Sequence, residues 1–289
     1  MLNGRCEPPE RQGDEVKSWC PPSRLVARID FLGTGNAFSP LGRMHALALL
    51  DGSVLVDAPP TVLVQLRRAG VSPADLKHLL ITHWHADHTF GFPFVLLERK
   101  YISDPGSESS LGVHLRPGGR ELLAGLCATG FPSSLDDAVD DGVEWSHSES
   151  GELVGTDWSF ERFPVSHTPE TDPHGYELVH KNGFRLLHCG DSGPCEGIEQ
   201  RARDADAVLL EMGIPDFVDS PNHHTPSDAV AFAGRHPHAM VLVTHNYASA
   251  AGLESGFEIP EMPDSIVQLE DGDCLEIDDE GKLSVQRNS

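Results

Sequence analysis

Hydrophobic and polar residues alternate in the first regular part of the chain, from Val26 onward. Ala27, Ile29 and Phe31 fall on one face and charged residues on the other, which is the two-residue period of a half-buried strand. The sequence Gly-Thr-Gly-Asn at residues 33–36 interrupts this alternation and predicts a tight turn. The regular structure is therefore predicted to begin with a strand that leads into a glycine turn.

Short apolar runs and helical repeats follow, and together they predict an α/β fold. A hairpin is predicted for residues 45–50 and 53–57, further strands at 79–82, 113–115, 158–165, 176–180, 184–188, 207–211 and 240–244, and helices at 60–69, 72–75, 119–128 and 227–234. No linker separates these elements, so we predict one layered sandwich domain over residues 25–289. Residues 1–24 are polar and rich in proline without periodicity, which predicts an extension outside the core.

The chain of 289 residues is strongly acidic. It contains 21 Lys and Arg against 45 Asp and Glu, a formal net charge of −24, and no stretch gathers basic residues into a patch. Nucleic-acid affinity comes mainly from cations that neutralise phosphates. The charge therefore disfavours a large polyanionic partner.

Neither a membrane segment nor a disulfide framework is indicated. No window approaches about 18 consecutive apolar residues, and the first ten residues lack the apolar stretch of a signal peptide, so we expect a cytoplasmic protein without membrane contact. The six cysteines have no Cys-x-x-Cys spacing and are expected to be reduced thiols. The 16 histidines are the unusual count, and they indicate a metal site.

The strongest chemical signal is the run His-Trp-His-Ala-Asp-His at residues 83–88, directly after a predicted buried strand. It offers four potential ligands in six residues, and both Zn²⁺ and Fe²⁺ accept imidazole together with carboxylate. Side chains two residues apart project to one side of an extended loop. His83 and His85 can therefore share one ion, while Asp87 and His88 turn to a second.

This run resembles the His-x-His-x-Asp-His signature of the metallo-β-lactamase superfamily, whose fold is a four-layer αββα sandwich. The resemblance extends from about residue 26 to about residue 285. It implies a third histidine ligand after a strand, a carboxylate ligand after a hairpin and a last histidine after a late strand. His167, Asp191 and His245 stand in that order along the chain.

The resemblance also implies a site for two divalent metal ions, with zinc expected and manganese or iron as alternatives. The seven ligands would form two sets that share one carboxylate: His83, His85 and His167 for one ion, Asp87, His88 and His245 for the other, and Asp191 for both. Asp57, at the end of a predicted strand, is expected to hydrogen-bond to the backbone of the metal-binding loop rather than to bind an ion.

Two further segments resemble the branch of that superfamily that holds ribonuclease Z and small cyclic phosphodiesterases. They are Phe-Leu-Gly-Thr-Gly-Asn-Ala at residues 31–37 and Asn-His-His-Thr at 222–225, where the branch has a His-x-Ser/Thr segment. His223 takes the matching position and would act as a catalytic residue near the leaving group, with His224 as the alternative one residue out of register. Asp87 would also help to orient the attacking water.

The spacing of two implied ligands bears on the substrate. True ribonuclease Z carries a long arm that clamps tRNA, commonly inserted between the ligands that correspond to His167 and Asp191, and only the 23 residues 168–190 separate them here. Together with the acidic charge, this makes tRNA a disfavoured partner and predicts a two-metal phosphodiesterase for small, including cyclic, phosphodiesters. A ribonuclease Z-type tRNA 3′ endonuclease, a mononuclear iron oxidoreductase and a non-catalytic metal-binding protein remain alternatives, and a homodimer is expected by resemblance.

Overall fold

Two mixed β-sheets, of eight and seven strands, stack face to face at the centre of the molecule. They are seen in a computed structural model that describes residues 24–106, 108–259 and 261–288. The predicted extension at residues 1–24 lies outside the described residues except for Arg24, so that expectation stays a prediction.

The regular elements are short, and most of them are strands. In the described residues the strands are β1 (Leu25–Gly33), β2 (Leu47–Leu50), β3 (Val54–Val56), β4 (His78–Leu80), β5 (Leu111–His114), β6 (Val143–Ser146), β7 (Ser150–Glu152), β8 (Trp158–Pro164), β9 (His174–His180), β10 (Arg185–His188), β11 (Ala207–Glu211), β12 (Met240–Thr244), β13 (Ile266–Gln268), β14 (Cys274–Asp278) and β15 (Leu283–Gln286). The α-helices there are α1 (Val62–Arg68), α2 (Ala86–Thr89), α3 (Phe92–Glu98), α4 (Gly119–Gly130), α5 (Asp136–Asp140), α6 (Glu196–Arg201) and α7 (Pro226–Arg235). None of these helices is long and apolar enough to cross a lipid bilayer.

The strand order brings several strand ends to one edge of the molecule. The first sheet has the order β15-β14-β1-β2-β3-β4-β5-β6, and the second β13-β12-β11-β10-β9-β8-β7. Strands β3 to β6 run parallel to one another, as do β10 to β13. Because the carboxyl ends of parallel strands meet at the same edge of a sheet, the loops after β4, β10, β11 and β12 can build a common site.

Three layers of hydrophobic packing define the sandwich. Ile29 and Phe31, which the alternation assigns to the buried face of the first strand, lie between the two sheets. Leu49 and Leu79 belong to a second cluster, where the outer face of the first sheet meets α1, α3 and α4. Phe232 of α7 belongs to a third cluster on the outer face of the other sheet. The layers therefore run helix, sheet, sheet, helix, which confirms the predicted αββα fold class.

The predicted hairpin at residues 45–57 is present, with shorter strands than the pattern indicates. Its strands β2 and β3 pair antiparallel, and the turn between them contains Asp51 and Gly52 with φ angles of 45° and 66°. Positive φ at both central residues is the geometry of the type I′ turn that Asp-Gly favours. Local turn chemistry thus fixes this part of the first sheet.

Several short elements were not predicted. Helix α2 has four residues, too few to show a helical period, and all three residues of β7 are exposed, so β7 has no buried face to reveal it. Helices α3, α5 and α6 and strands β6 and β13 were likewise missed. The common reason is that elements of three to seven residues leave only a weak hydrophobic pattern.

A buried pair of histidines joins β4 and β5. His78 Nδ1 lies 3.0 Å from His114 Nε2, and His78 Nε2 lies 3.0 Å from the carbonyl oxygen of Val154. Burial lowers the pKa of both rings, that of His114 to about 4. Both rings are therefore neutral in the folded protein at neutral pH.

This pair should make stability depend on pH. In the unfolded state these histidines bind protons below about pH 6.5, whereas in the folded state they remain neutral until the pH is lower. Their contribution to the free energy of unfolding is therefore fully present above about pH 6.5 and is lost as the pH decreases towards 4. Between about pH 7 and pH 3, the free energy of unfolding of the wild type should fall by about 3 kcal/mol more than that of His114→Asn. Urea titrations over a pH series measure this difference. An equal decrease in the free energy of unfolding with pH for the two proteins would contradict the prediction.

Candidate metal centre and active site

Seven predicted ligand side chains converge at the edge where the strand ends meet. Residues 83–88 form the loop after β4 and the start of α2, while His167 follows β8, Asp191 follows β10 and His245 follows β12. The first sheet therefore supplies one half of the site and the second sheet the other.

One group of ligand atoms is formed by three imidazoles and a carboxylate. His83, His85, His167 and Asp191 each contribute one atom, and these atoms lie within 4.8 Å of one another. His85 Nδ1 is 3.0 Å from His83 Nε2 and 3.1 Å from His167 Nε2. Nitrogen and carboxylate donors that face one point are a typical ligand set for Zn²⁺ or Fe²⁺.

A second group lies beside the first and shares one residue with it. Asp191 Oδ2 is 3.4 Å from His88 Nε2 and 3.2 Å from His245 Nε2. Asp87 Oδ2 lies 3.4 Å and 3.5 Å from the same two nitrogens. Because Asp191 belongs to both groups, its carboxylate stands where a bridging ligand would stand.

Unpaired nitrogens test whether a metal fits here. Within the described residues, Nε2 of His88 and both ring nitrogens of His245 are buried without a hydrogen-bond partner. Buried polar atoms are nearly always paired, so three such nitrogens side by side favour a site that binds a ligand. Imidazole lone pairs aimed at carboxylate oxygens suit a cation, and the residues present therefore fit a metal centre.

A layer of hydrogen bonds behind the imidazoles fixes their orientation. Asp57 Oδ2 accepts from His88 Nδ1 at 2.7 Å, and its carboxylate also accepts from the backbone N–H of Thr82 at 2.8 Å, as expected for Asp57. The Thr82 hydroxyl donates to Asp57 and lies 3.0 Å from His83 Nδ1. Such partners at Nδ1 leave Nε2 of both rings free to bind a metal.

Charges in the two groups suit cation binding. Burial raises the pKa of Asp191, but the charges of His245 and His88 outweigh it and hold this pKa well below its usual range. Burial likewise raises the pKa of Asp87, but its close approach to His245 and His88 outweighs this and brings the pKa below its usual range. Burial lowers the pKa of His83 well below its ordinary value. Burial lowers the pKa of His88 and His245, but Asp191 and the other nearby carboxylates outweigh it and raise both. The ionised carboxylates and neutral His83 are in the form that binds a divalent ion, and binding at His88 and His245 would release a proton from each ring.

His223 lies beside both groups and is paired with a buried carboxylate. Its Nδ1 is 2.7 Å from Glu211 Oε1, and its ring lies 4.8 Å from the ring of His167 and stacks on that of His245 at 6.0 Å. Glu211 Oε1 also accepts from the backbone N–H of Ser192 at 3.2 Å. Burial lowers the pKa of His223, but the hydrogen bond and charge of Glu211 outweigh it and raise the pKa to about 9.

The neighbouring histidine points elsewhere. His224 is almost fully buried and its Nδ1 donates to the carbonyl oxygen of Ser192. In the same segment, the carbonyl oxygen of Asn222 lies 2.9 Å from His167 Nδ1. The structure thus brings His223, and not His224, to the cluster.

Glu211 is a site residue that the sequence analysis missed. It was assigned only to the end of a predicted strand, where an acid is easily taken for a solvent-exposed residue. The signal that could have found it is its position, because an acid at the carboxyl end of the apolar run Ala-Val-Leu-Leu faces the same edge as the other motifs.

The predicted glycine turn packs directly against the last ligand loop. A Cβ at Gly33 would lie 2.1 Å from the carbonyl oxygen of His45, so only glycine fits there. The backbone N–H of Asn246 donates to the carbonyl oxygen of Thr34 at 2.7 Å, and the backbone N–H of Asn36 donates to the carbonyl oxygen of Asn246 at 3.1 Å. The turn therefore fixes the segment that follows His245.

Comparison with known proteins agrees with this geometry. The Beta-lactamase superfamily domain matches residues 53–246. The chain is 27% identical over 255 residues to Ribonuclease Z of Pyrobaculum arsenaticum, covering 76% of this chain and 86% of that protein. It is also 27% identical over 252 residues to human Zinc phosphodiesterase ELAC protein 2, covering 75% of this chain and 29% of that protein.

A solved structure shares the fold. A diphosphatase from the PhnP family superposes with a TM-score of 0.63 at 22% identity, covering 88% of this chain and 98% of that one. The superfamily, the fold and the enzyme class predicted from the sequence are thereby confirmed. The chain belongs to the β-lactamase superfamily and is a metal-dependent hydrolase with homologues among the ribonuclease Z proteins.

Proposed function

We propose that this hydrolase is a two-metal phosphodiesterase that acts on small, including cyclic, phosphodiesters. The observation that carries the proposal is the shared carboxylate of Asp191 between two complete ligand groups, with His223 beside them. The second complete group favours two ions over the single ion of an iron oxidoreductase. Zinc is the proposed metal, with manganese or iron as alternatives.

The chain's own residues would carry out binding and proton transfer. Two divalent ions, when bound, would polarise the phosphate oxygens and lower the pKa of water to about 7. The Asp87 carboxylate, at the edge of the second group, would orient the attacking water. His223 donates Nδ1–H to Glu211, so its Nε2 is the atom that can give a proton to the leaving alkoxide.

Glu211 would be a positioning residue for this proton donor. Its carboxylate accepts from the backbone N–H groups of Ser192 and Gly213, so it is held in place by two separate loops. A fixed carboxylate orients the imidazole of His223 and stabilises its protonated form. This arrangement supports a role for His223 as a general acid that is oriented and protonated before the substrate binds.

Two features support a small substrate. Residues 168–190 contain a short 3₁₀ turn at Pro169–Thr171 and the hairpin of β9 and β10, which accounts for this stretch without an inserted arm. The segments 204–234 and 236–281, which supply the loops around His223 and His245, contain no Lys or Arg. A polynucleotide would find few cations there to neutralise its phosphates.

Cleavage of tRNA 3′ trailers is the second candidate, favoured by the identity with ribonuclease Z. We expect the metal-loaded protein to hydrolyse bis(p-nitrophenyl) phosphate or small cyclic phosphodiesters and to leave pre-tRNA trailers largely intact at physiological salt. The measurement is product release from both substrate classes by one preparation, with Asp191→Ala as the control for contaminating activity. Efficient trailer removal without turnover of small diesters would reverse the order of the two candidates.

A further inference from the structure

A cavity of about 450 Å³ with aromatic walls lies between the loops that follow β11 and β12. Its lining includes Pro215, Phe217, Tyr247, Phe257 and Glu258. Pockets for small molecules begin at about 300 Å³, so the space is sufficient for one ring system. None of the ligand groups described above lies in this lining.

The walls of this aromatic pocket start from the catalytic loops. Tyr247 is two residues beyond His245, and Pro215 is two residues beyond Gly213. A Cβ at Gly213 would lie 2.8 Å from His223 Nδ1, so the Gly213 backbone touches the proposed proton donor. Because two residues span at most about 7 Å, one small substrate can reach both the site and the pocket.

Two phenylalanines present their rings to solvent at this pocket. The rings of Phe217 and Phe257 lie 6.0 Å apart, and the side chains are 75% and 51% exposed. The Tyr247 ring lies 6.4 Å from the Phe257 ring, and the Tyr247 hydroxyl donates to the carbonyl oxygen of Glu258 at 3.1 Å. Exposed aromatic rings beside a polar site offer faces on which a planar group can stack.

The charge around the pocket selects against anions. Asp216 and Glu258 contribute to the lining, and the flanking segments 204–234 and 236–281 contain no Lys or Arg. A second phosphate would meet these carboxylates, and the described lining contains no Lys or Arg. An uncharged ring would gain stacking without that repulsion.

We propose that this pocket is a substrate subsite for one uncharged aromatic group, a nucleobase or an aryl ring, attached to the phosphodiester. The inference rests on the proposed function and narrows its substrate class. With a ring stacked on Phe217 and Phe257, we expect the attached phosphate to reach the ligand groups, since the loops of the pocket begin at His245 and Gly213. A longer nucleic acid would extend its next phosphates along the acidic loops.

Binding of three phosphate monoesters to the metal-loaded protein tests the subsite by calorimetry. Phenyl phosphate and thymidine 5′-phosphate should bind about 10-fold more tightly than methyl phosphate, as expected for stacking of one ring. Phe217→Ala and Phe257→Ala should each remove most of this preference and leave methyl phosphate unaffected. Tighter binding of both aromatic ligands than of methyl phosphate supports the subsite. Tighter binding of thymidine 5′-phosphate alone or of phenyl phosphate alone also supports it and identifies which ring the pocket accepts.

A matched control separates stacking from general surface effects. Tyr101→Ala removes another exposed aromatic ring. Tyr101 lies away from the candidate site, because the guanidinium of nearby Arg99 donates to the carbonyl oxygen of Leu76, which precedes β4 at the end opposite the ligand loop. This variant should keep the wild-type preference. Equal affinities of all three ligands for the wild type, or a preference unchanged in both phenylalanine variants, would overturn the subsite.

Turnover of methyl p-nitrophenyl phosphate distinguishes the two levels of the proposal. If the wild type hydrolyses this diester and shows no aromatic preference, only the subsite fails. If it hydrolyses no small diester, the proposed function fails, and the binding preference and its loss in the phenylalanine variants alone decide whether the pocket binds an aromatic ring.

Discussion

Replacing His223 with alanine is expected to lower kcat by about 10² to 10⁴ while the protein keeps its metal ions and its fold. The His223 ring lies beside that of His167, and its Nδ1 is engaged by Glu211, so His223 is proposed as a proton donor although Glu211, His223 and His245 also bring ligand atoms within 4.8 Å of one another. The loss should be largest for an alkoxide leaving group. It should shrink for p-nitrophenolate, because that oxygen needs little help from a proton donor. Rates with both leaving groups and elemental analysis of the variant measure these effects.

Two further variants act as controls for this result. Glu211→Gln should lower kcat less than His223→Ala and shift the alkaline limb of the pH profile to lower pH, because it removes the charge that raises the pKa of the proton donor without removing the donor itself. His224→Ala should affect kcat much less, since this ring donates to the Ser192 carbonyl away from the cluster. If His223→Ala stripped the metal, or His224→Ala were the more damaging change, the proposed role would be wrong.

The Asp191→Ala variant should lose metal from both groups and with it almost all activity. This carboxylate is the one side chain common to the two ligand groups, and it lies 3.2 Å from His245 Nε2 and 3.4 Å from His88 Nε2. His245→Ala should empty mainly one position, because His245 belongs to the second group and not to the first. Elemental analysis of protein purified without chelator measures both effects.

A matched control for these variants is Asp136→Ala, which removes an exposed carboxylate at the start of α5. It should keep the wild-type metal content. The wild type should contain two ions per chain after supplementation with divalent metal. A content of one ion or none would contradict the two-metal proposal.

The ligand run was visible in the sequence because it is local. Residues 83–88 are contiguous, and the chemistry of their side chains identifies them without knowledge of the fold. His167, Asp191 and His245 are each common kinds of residue, so they gained meaning only from their order behind that run. Glu211 could not be found in this way, because its role depends on its contact with His223, 12 residues later in the chain.

The arrangement of strands was predictable only in part. Alternation identified β1, yet its neighbours in the sheet are β2 and β14, and Leu25 pairs with Asp278 from the other end of the chain. Strand propensity is a local property, whereas this pairing depends on how two sheets bury a common core. The sequence therefore predicted layers and most long elements, and the family resemblance supplied their order.

The division of the proposed ligands between the two sheets would couple a bound metal to the fold. Residues 83–88 follow a strand of the first sheet, and His167, Asp191 and His245 follow strands of the second. A cation held by both halves links the sheets, and a ligand that binds only the native state adds about 2.7 kcal/mol to stability at 100 times its Kd. Metal supply would thus govern how long the folded enzyme survives as well as how fast it works, and chelation would expose it to proteolysis.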